Sequence, residues 1–421
     1  MAEESILSDD FIRQLMNVGE VDILIGVPTH NDARTVGAAI HAIQAGILKS
    51  FPRERAAIIN TDGGSNDGTP DIVMGASISD VHRSFNGYTL RTLHSISTQY
   101  SRTPSSELAL RTILSAADLL RAKACAVISP ESTTVDPGWV ESLLRPVYRE
   151  NVDFVSPVYR RHKFEGVLLT NLIYPMTRAL YGIRLREPYT TEIAFSNRLG
   201  CEFLLQHRWS QGSDEDPRMD LTINAISNGF RVQQAYLGER TQSGSQSRDL
   251  VTAMRQTVGG LFSCLEPSFP AWSGVVGSES VLTRGSEFDV TDGPLRVNRK
   301  QLKQMFSQGV SELGSVLQVI LTAETLVELQ SVASADEATF RLSGELWVKT
   351  VYEFAASYQK SVMNRNHILQ ALVPLYRGRM FTFLTQNRVA SSAEVANDIE
   401  NLCLEFERMK PYLLERWDGR K

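Results

Sequence analysis

Two stretches of the sequence indicate the fold: VDILIGVPTHNDARTV at residues 21–36 and AIINTDGGSNDGTPDIV at residues 57–73. The run over residues 21–27 is short, apolar and β-branched, which is typical of a strand buried on both faces of a parallel sheet. Apolar residues at helical spacing follow, at Val36, Ile40 and Ile43. A second strand is predicted over residues 57–60, and an acidic, glycine-rich loop comes after it. This order predicts the opening of an α/β domain with a right-handed crossover.

The same alternation continues as far as residue 275. Helices are predicted over residues 108–120 and 219–228, and Gly229 would end the second of them. Strands are predicted over residues 124–128, 152–157 and 230–236. The alternation predicts a mixed, mainly parallel sheet with helices on both faces.

The pattern changes near residue 275. Residues 274–297 are rich in Gly, Ser and Thr and show no long period, whereas the period is helical from Gln301 onward. One apolar stripe consists of Trp347, Val351, Phe354, Ala355 and Tyr358, and another of Leu402, Phe406, Met409, Tyr412 and Leu413. These stripes indicate helices that pack in a core. We therefore expect an N-terminal segment over residues 1–20, an α/β domain over 21–275 and a helical domain over 276–421.

Composition excludes several classes of function. The chain has 421 residues, 42% of them hydrophobic, and a formal net charge of −5, so it carries no basic field for a nucleic-acid backbone. Its four cysteines form no C-x-x-C pair, which favours free thiols over a metal site or a disulfide framework. The first 15 residues lack the basic and apolar regions of a signal peptide. No apolar run reaches the about 20 residues that span a bilayer, and we expect a cytoplasmic protein.

The two opening stretches resemble the start of family-2-like glycosyltransferases of the GT-A type. The resemblance implies a nucleotide site formed by Pro28, Thr29, Asn31, Asp62, Gly63 and Gly64. Asp62 matches the acidic residue that contacts the base or ribose in that family. A carboxylate suits this role because it accepts hydrogen bonds from an imide N–H or a sugar hydroxyl, and glycines let the backbone approach closely.

Later segments resemble the retaining group that includes mannosylglycerate synthase and glucosyl-3-phosphoglycerate synthase. Residues 186–192, REPYTTE, resemble the stretch that lines the donor sugar and the acceptor, which makes Glu192 a candidate catalytic residue. Residues 220–223, DLTI, resemble the helix on the acceptor side and make Asp220 a second candidate. The C-terminal stretches ELWVKTVYEFA and PLYRGRMFTF resemble the helical extension of bacterial relatives.

Two departures from the family concern the donor diphosphate. Members usually carry a Gly-Lys-Gly-type loop, where residues 104–110 here read PSSELAL, with Ser106 and Glu107 at its centre. A carboxylate facing a diphosphate is electrostatically unfavourable. Members also end a central strand in Asp-x-Asp, whose carboxylates hold Mn²⁺ or Mg²⁺. Here Ser129, Pro130, Glu131 and Ser132 follow the strand, and Glu131 alone could still ligate a metal, if weakly.

Two further departures fall on the same implied site. Relatives often complete the metal site with a late histidine, whereas this chain has Gln242 near that position and no histidine between His207 and His367. Thr190 and Thr191 stand where relatives tend to have glycine or alanine, and their bulk would narrow a sugar pocket. We therefore assign Ser129, Glu131 and Gln242 to a phosphate or metal side whose usual ligands are replaced.

Two other groups of charged residues have alternative interpretations. Asp214, Glu215 and Asp216 form a D-x-D in the loop before the helix on the acceptor side, and capping of that helix is favoured over a displaced catalytic or metal-binding role. Arg160 and Arg161, with His162 beside them, could bind a diphosphate without a metal, because guanidinium binds phosphate in a bidentate manner. The alternative for these basic residues is an exposed strand end.

Three functions are compatible with this sequence. The first is a glycosyltransferase that moves a hexose from a UDP- or GDP-type donor to a small or lipid-linked acceptor, with retention of configuration if the family mechanism holds. The second is a non-catalytic relative that acts as a scaffold or regulatory subunit, as a homodimer or with an active paralogue. The third is a binding module for a nucleotide or glycan. Fold by itself does not decide among them.

Overall fold

The computed structural model describes residues 7–78, 93–131, 134–207, 209, 216–240, 249–286 and 298–417. The chain divides into two compact units, each discontinuous in sequence. The first unit comprises Met1–Arg160, Thr190–Ser247 and Val281–Phe288, and the second comprises Arg161–Tyr189, Arg248–Ser280 and Asp289–Lys421. The domain boundaries expected near residues 20 and 275 stay predictions.

The described strands form one large sheet and one small one. They are β1 (Ile23–Thr29), β2 (Ala56–Asp62), β3 (Leu93–Gln99), β4 (Ala124–Val127), β5 (Phe154–Arg160), β6 (Ile183–Arg184), β7 (Ile193–Ser196), β8 (Val232–Glu239), β9 (Glu279–Ser280) and β10 (Thr283–Arg284). The large sheet belongs to the first unit and has the order β10-β8-β5-β7-β4-β1-β2-β3. Its neighbours are parallel except at β7, which is antiparallel to both β4 and β5. The predicted mixed, mainly parallel α/β sheet is therefore confirmed.

The described helices number eighteen, with two short π-helical turns at Leu169–Ile173 and Arg255–Gly259. Those of the first unit are α1 (Asp9–Val18), α2 (Val36–Ser50), α3 (Thr69–Ile78), α4 (Ser106–Leu119), α5 (Pro137–Glu150), α7 (Asn197–Gln206) and α8 (Pro217–Ser227). Those of the second unit are α6 (Tyr174–Tyr181), α9 (Leu250–Met254), α10 (Gly260–Leu265), α11 (Phe269–Trp272), α12 (Arg299–Glu312), α13 (Gly314–Ile320), α14 (Ala323–Ser334), α15 (Gly344–Gln359), α16 (Arg365–Gln386), α17 (Ser392–Arg408) and α18 (Lys410–Trp417).

Helices cover both faces of the large sheet, as the alternation of side chains along β1 requires. Ile23, Ile25 and Val27 join a fully buried core with residues of α2 and α5. Gly26 points to the other face, where a Cβ atom would lie 2.5 Å from Cδ1 of Ile113 on α4. The glycine therefore lets α4 approach the strand closely.

The second unit is built almost entirely of helices, which confirms the helical character predicted for the C-terminal part. The stripe along α15 is core, because Trp347, Val351 and Phe354 are completely buried. The second stripe is also core at Leu402, Phe406 and Leu413, but it is divided between two helices, since α17 ends at Arg408 and α18 begins at Lys410. Pro411 explains the break: it lacks the N–H that a continuous helix would bond to Glu407, and its ring clashes with that carbonyl.

All four cysteines are free, as predicted, and Cys125, Cys264 and Cys403 are buried. Burial raises the pKa of Cys125 far above its ordinary value, so this thiol is inert. Within the described residues, no helix combines the length and apolarity needed to cross a membrane.

Candidate functional site at the carboxyl edge of the sheet

Most of the predicted site residues of the first unit lie along one edge of the large sheet. Parallel β1, β2 and β4 end there, which places Thr29, Asp62 and Ser129 together at this edge. Strand β7 runs in the opposite direction and begins there, so Glu192 immediately precedes it at the same edge. Strand β8 ends there and is followed by Arg240. We call this row the carboxyl edge.

The strand order reverses between β1 and β4. From β1 the chain passes to β2 and β3 on one side, whereas β4 lies on the other side. Open α/β sheets bind their ligands in the crevice at such a reversal, outside the carboxyl ends of the strands. In this chain Asp32 follows β1 and Glu131 follows β4, so two carboxylates flank the crevice.

Asp62 is buried and holds its own loop together. Its Oδ1 accepts hydrogen bonds from Thr29 Oγ1 at 2.9 Å and from Ser65 Oγ at 2.6 Å. Its Oδ2 accepts from the backbone N–H groups of Gly64 at 3.0 Å and Ser65 at 2.8 Å. These four contacts assign the carboxylate a structural role at the end of β2, and its contact with a nucleotide stays a prediction.

Gly63 and Gly64 lie against the segment that precedes α4. A Cβ atom on Gly63 would lie 2.7 Å from the hydroxyl oxygen of Tyr100. Gly64 has φ +77°, and its Cβ would lie 2.7 Å from the backbone oxygen of Arg102. Glycine is required at both positions for this packing.

The loops after β1 and β2 are joined by hydrogen bonds. The Asn31 N–H donates to Ser65 Oγ at 2.9 Å, and the Asn66 N–H donates to Asn31 Oδ1 at 3.0 Å. Asn31 adopts the left-handed conformation at φ 59°, which asparagine tolerates better than most residues. Pro28 is half-buried within β1. The nucleotide-binding roles of Pro28 and Asn31 stay predictions, and the contacts show that their loops are mutually braced.

Asp32 is a half-buried carboxylate that the sequence interpretation missed. Its Oδ2 accepts the His30 N–H at 2.8 Å. Burial, and after it the negative charges of Glu131 and Asp67, raise the pKa of Asp32 to about 6. Glu131 is itself half-buried, and its N–H donates to Ser129 Oγ at 3.3 Å. The crevice between β1 and β4 is therefore flanked by carboxylates that repel each other's negative charge.

Glu192 is completely buried at the start of β7 and belongs to a polar network. Its Oε2 accepts hydrogen bonds from Tyr159 Oη at 2.5 Å and Thr191 Oγ1 at 2.7 Å. Arg240 Nε lies 3.6 Å from the same oxygen, and Nη2 of Arg240 donates a hydrogen bond to Thr191 Oγ1 at 2.6 Å. The other oxygen, Oε1, is buried without a hydrogen-bond partner among the described residues.

Thr190 and Thr191 are buried beside Glu192, and the narrowing of a sugar pocket by their side chains stays a prediction. Thr190 Oγ1 accepts the Glu192 N–H at 3.4 Å. Thr191 does more than fill space, since its hydroxyl accepts from Arg240 and donates to Glu192.

The two predicted diphosphate-binding arginines belong to different units. Arg160 ends β5, and its Nη1 lies 3.5 Å from Glu239 Oε1. Arg161, in the second unit, forms a bidentate pair with the buried Glu187, at 2.9 and 2.6 Å. Arg161 is thus engaged by a carboxylate, and phosphate binding by either arginine stays a prediction.

The acidic cluster at residues 214–216 is described only at Asp216, and Gln242 also lies outside the described residues. Asp216 caps α8: its Oδ1 accepts the Arg218 N–H at 3.1 Å. Capping was the favoured interpretation, although Asp216 is buried and not solvated. Asp220 lies in the first turn of α8, where its Oδ2 is 2.5 Å from Nδ1 of His207.

The start of α4 also lies at the carboxyl edge, because α4 follows β3. Ser105 caps this helix by accepting the Leu108 N–H at 3.2 Å. Glu107 in the first turn is buried. Ser106 is the first helical residue. Residues 105–108 therefore form an ordinary capped helix start, and their correspondence to the lysine loop of the resembling family stays a prediction.

Several site residues could not be found by motif. Tyr159, Arg240 and Asp32 follow the ends of predicted strands by two to five positions, and that is the one signal they carry in the sequence. No group of three or more His, Cys, Asp or Glu side chains arranged to hold a metal ion occurs in the described part of the chain.

Comparison with known proteins gives matches among solved structures. No protein-family model matches the chain, and no curated protein matches it. Glucosyl-3-phosphoglycerate synthase from Mycobacterium tuberculosis, in complex with Mn²⁺, UDP and glucosyl-3-phosphoglycerate, is 16% identical, covers 64% of this chain and 87% of its own, with a TM-score of 0.42. The same synthase with Mg²⁺ and UDP is 18% identical, with 61% and 83% covered and a TM-score of 0.43.

Proposed function

We propose that this chain is a GT-A-type glycosyltransferase-like protein that binds a nucleotide diphosphate sugar at the carboxyl edge and transfers its hexose. One observation carries the proposal. The segments after β1, β2 and β4, the residue before β7 and the residue after β8 meet at this edge, and the strand order reverses within it. That is where an open α/β sheet binds a ligand. A UDP- or GDP-type donor and a small or lipid-linked acceptor fit this proposal, with retention at the anomeric carbon.

Different residues of the carboxyl edge would bind the nucleoside, hold the cation and orient the reacting groups. The braced loops after β1 and β2, shaped by Asp62, would receive the nucleoside. Glu131 and Asp32 offer the hard carboxylate oxygens that Mg²⁺ or Mn²⁺ prefers, and the donor's phosphates would supply further ligands. A bound cation would neutralise the charge of the diphosphate leaving group. Glu192, held on one oxygen by Tyr159 and Thr191, would orient the reacting groups.

Isothermal titration calorimetry on the whole chain tests this proposal. UDP, GDP, UDP-glucose and GDP-mannose are titrated with and without Mn²⁺. We expect at least one nucleotide sugar to bind, because the loops that would receive it are ordered by their own hydrogen bonds. Binding that Mn²⁺ strengthens would support a cation at Glu131 and Asp32, and metal-independent binding would favour arginine contacts. Absence of binding by all four probes would contradict the proposal.

A double substitution tests the assignment of the phosphate side. Ser129→Asp with Glu131→Asp rebuilds two carboxylates on alternate residues after β4, so we expect tighter Mn²⁺ binding than in the unmodified chain. The same calorimeter measures it with Mn²⁺ alone and with Mn²⁺ plus UDP. Asp136→Asn, which removes an acidic helix cap of α5 outside this turn, is the matched control and should not change Mn²⁺ affinity. No gain in the double variant would mean that the turn after β4 does not face a metal position.

A non-catalytic relative is the second candidate, and one observation favours it. Glu192 is 0% exposed and lies next to Arg240, so it reaches no substrate unless the surrounding side chains move. In that case the chain would act as a scaffold, as a homodimer or with an active paralogue. Binding of a nucleotide without any turnover of its sugar would favour this candidate or a binding module.

A further inference from the structure

A histidine–aspartate pair lies beside the carboxyl edge, and its histidine has no role in the proposed function. His207 Nδ1 is 2.5 Å from Asp220 Oδ2, and the two residues are 13 positions apart. Side-chain exposure is 16% for His207 and 36% for Asp220, so the pair is partly accessible. All atoms that form it lie in described residues of the first unit.

Topology places this pair near the same edge as the rest of the site. Strand β7 leaves the carboxyl edge, and α7 begins directly after it at the far side of the sheet. The 10 residues of α7 extend about 15 Å at 1.5 Å per residue, and His207 follows its last turn. Helix α8 ends shortly before β8 begins at the far side, so its first turn, with Asp220, also points to the carboxyl edge.

The pair is held rigidly by aromatic neighbours. The imidazole of His207 stacks on Phe203 with ring centroids 4.7 Å apart, and it meets Trp209 edge-on at 4.5 Å. The indole of Trp209 is fixed by a hydrogen bond from Nε1 to the Leu204 carbonyl at 3.0 Å. The guanidinium of Arg111 lies 5.4 Å from the Trp209 ring. A ring held on two sides loses little further freedom when a ligand arrives.

The hydrogen bond decides which nitrogen of His207 is available. An ionised carboxylate only accepts hydrogen bonds, so Nδ1 carries the proton and Nε2 keeps its lone pair in the neutral imidazole. Nε2 has no hydrogen-bond partner among the described residues. An imidazole oriented in this way by a carboxylate is suited to take a proton, because the carboxylate also stabilises the imidazolium that forms.

We propose that His207 is the residue that accepts the proton of an acceptor hydroxyl, and that Asp220 is its positioning residue. This inference rests on the proposed function. The acceptor O–H proton moves to His207 Nε2, and the acceptor oxygen forms a bond to the anomeric carbon on the face from which the diphosphate leaves, so that the configuration is retained. The bond from that carbon to the diphosphate oxygen breaks, and its electron pair leaves with the nucleoside diphosphate. Trp209 offers an aromatic face beside the incoming hydroxyl compound.

The first arm of the test needs no nucleotide. The full chain is treated with diethyl pyrocarbonate, which acylates neutral imidazole nitrogen, and each histidine peptide is followed by mass spectrometry. His367, exposed on α16, is the internal reference. We expect His207 to react, and Asp220→Asn to slow its reaction several-fold while His367 is unaffected. A His207 that does not react, or that reacts equally in Asp220→Asn, overturns the inference.

The second arm measures release of UDP from UDP-glucose and of GDP from GDP-mannose, with glycerol as the acceptor probe. His207→Gln should lower turnover about 100-fold or more while leaving the dissociation constant for the nucleotide unchanged. His41→Gln, on the exposed face of α2, is the matched control. Unchanged turnover in His207→Gln overturns the inference. A reactive, Asp220-dependent His207 in a chain without turnover would instead contradict the proposed function and support a proton-accepting site for another hydroxyl compound.

Discussion

Asp62→Ala is expected to lower the free energy of unfolding of the first unit by about 3 kcal/mol or more. The carboxylate is buried and accepts four hydrogen bonds, from Thr29, Gly64 and Ser65. Its removal leaves these donors without their acceptor and releases the turn that brings Gly63 and Gly64 against residues 100–104. Guanidinium chloride denaturation, followed by circular dichroism and tryptophan fluorescence, measures the change.

Asp67→Ala is the matched control for this substitution. Asp67 lies in the same loop and accepts three hydrogen bonds, from Thr69 N, Thr69 Oγ1 and Ala33 N, but it is exposed. Water can replace an exposed acceptor, so a loss of about 1 kcal/mol is expected. If Asp62→Ala destabilises the chain no more than Asp67→Ala, the organising role of Asp62 is wrong.

The Asp62→Ala variant also distinguishes two possible roles of Asp62 in the proposed nucleotide site. If the carboxylate contacts the base or ribose directly, nucleotide affinity falls even under conditions where the variant remains folded. If it acts by shaping the loop, affinity and stability fall together, and the Asp62→Asn variant, which keeps one acceptor oxygen, recovers part of both. Calorimetric titration with UDP and GDP on the folded variants distinguishes these results.

Arg178→Met is expected to have the largest effect in the second unit. It should lower the free energy of unfolding by about 3–5 kcal/mol. Arg178 is completely buried on α6 and binds Glu400 through two hydrogen bonds at 2.6 and 2.8 Å. Its Nε also donates to Glu407 at 2.7 Å. These carboxylates keep the pKa of the guanidinium above its ordinary value despite burial. Methionine fills the volume but leaves two glutamates on α17 without their cation.

The control for Arg178 is Arg408→Met. Arg408 also pairs with a glutamate of α17, Glu405, but its side chain is 62% exposed. Exposed pairs of this kind contribute about 0–1 kcal/mol, so this variant should remain close to the unmodified chain. Denaturation monitored by tryptophan fluorescence reports the second unit through Trp272, Trp347 and Trp417. If both arginine variants lose the same free energy of unfolding, the inference that burial makes the ion pairs of Arg178 more stabilising is wrong.

The sequence pattern was sufficient to predict those strands and helices whose burial is apparent from neighbouring residues along the chain. The apolar run before Pro28 became β1, the strand before the acidic loop became β2, and the helical period from Gln301 onward became a helical unit. A strand buried on both faces needs consecutive apolar residues, and a buried helix needs them every three or four positions. Both spacings involve residues that are close along the chain, so they can be recognised in the sequence without knowledge of the tertiary structure. The resemblance of residues 60–73 also indicated the loop that Asp62 organises.

The contacts between distant side chains follow from the assembled sheet and not from the sequence pattern. Strand β7, four residues long, carries too short a pattern for prediction, yet its reversed direction brings Glu192 to the carboxyl edge. Arg240 reaches Thr191 across 49 positions, and Thr29 reaches Asp62 across 33. Periodicity specifies which face of an element is buried but not the element that covers it. Partners this distant are fixed by strand order and direction, and so the sequence determined the elements while the assembled sheet determined the site.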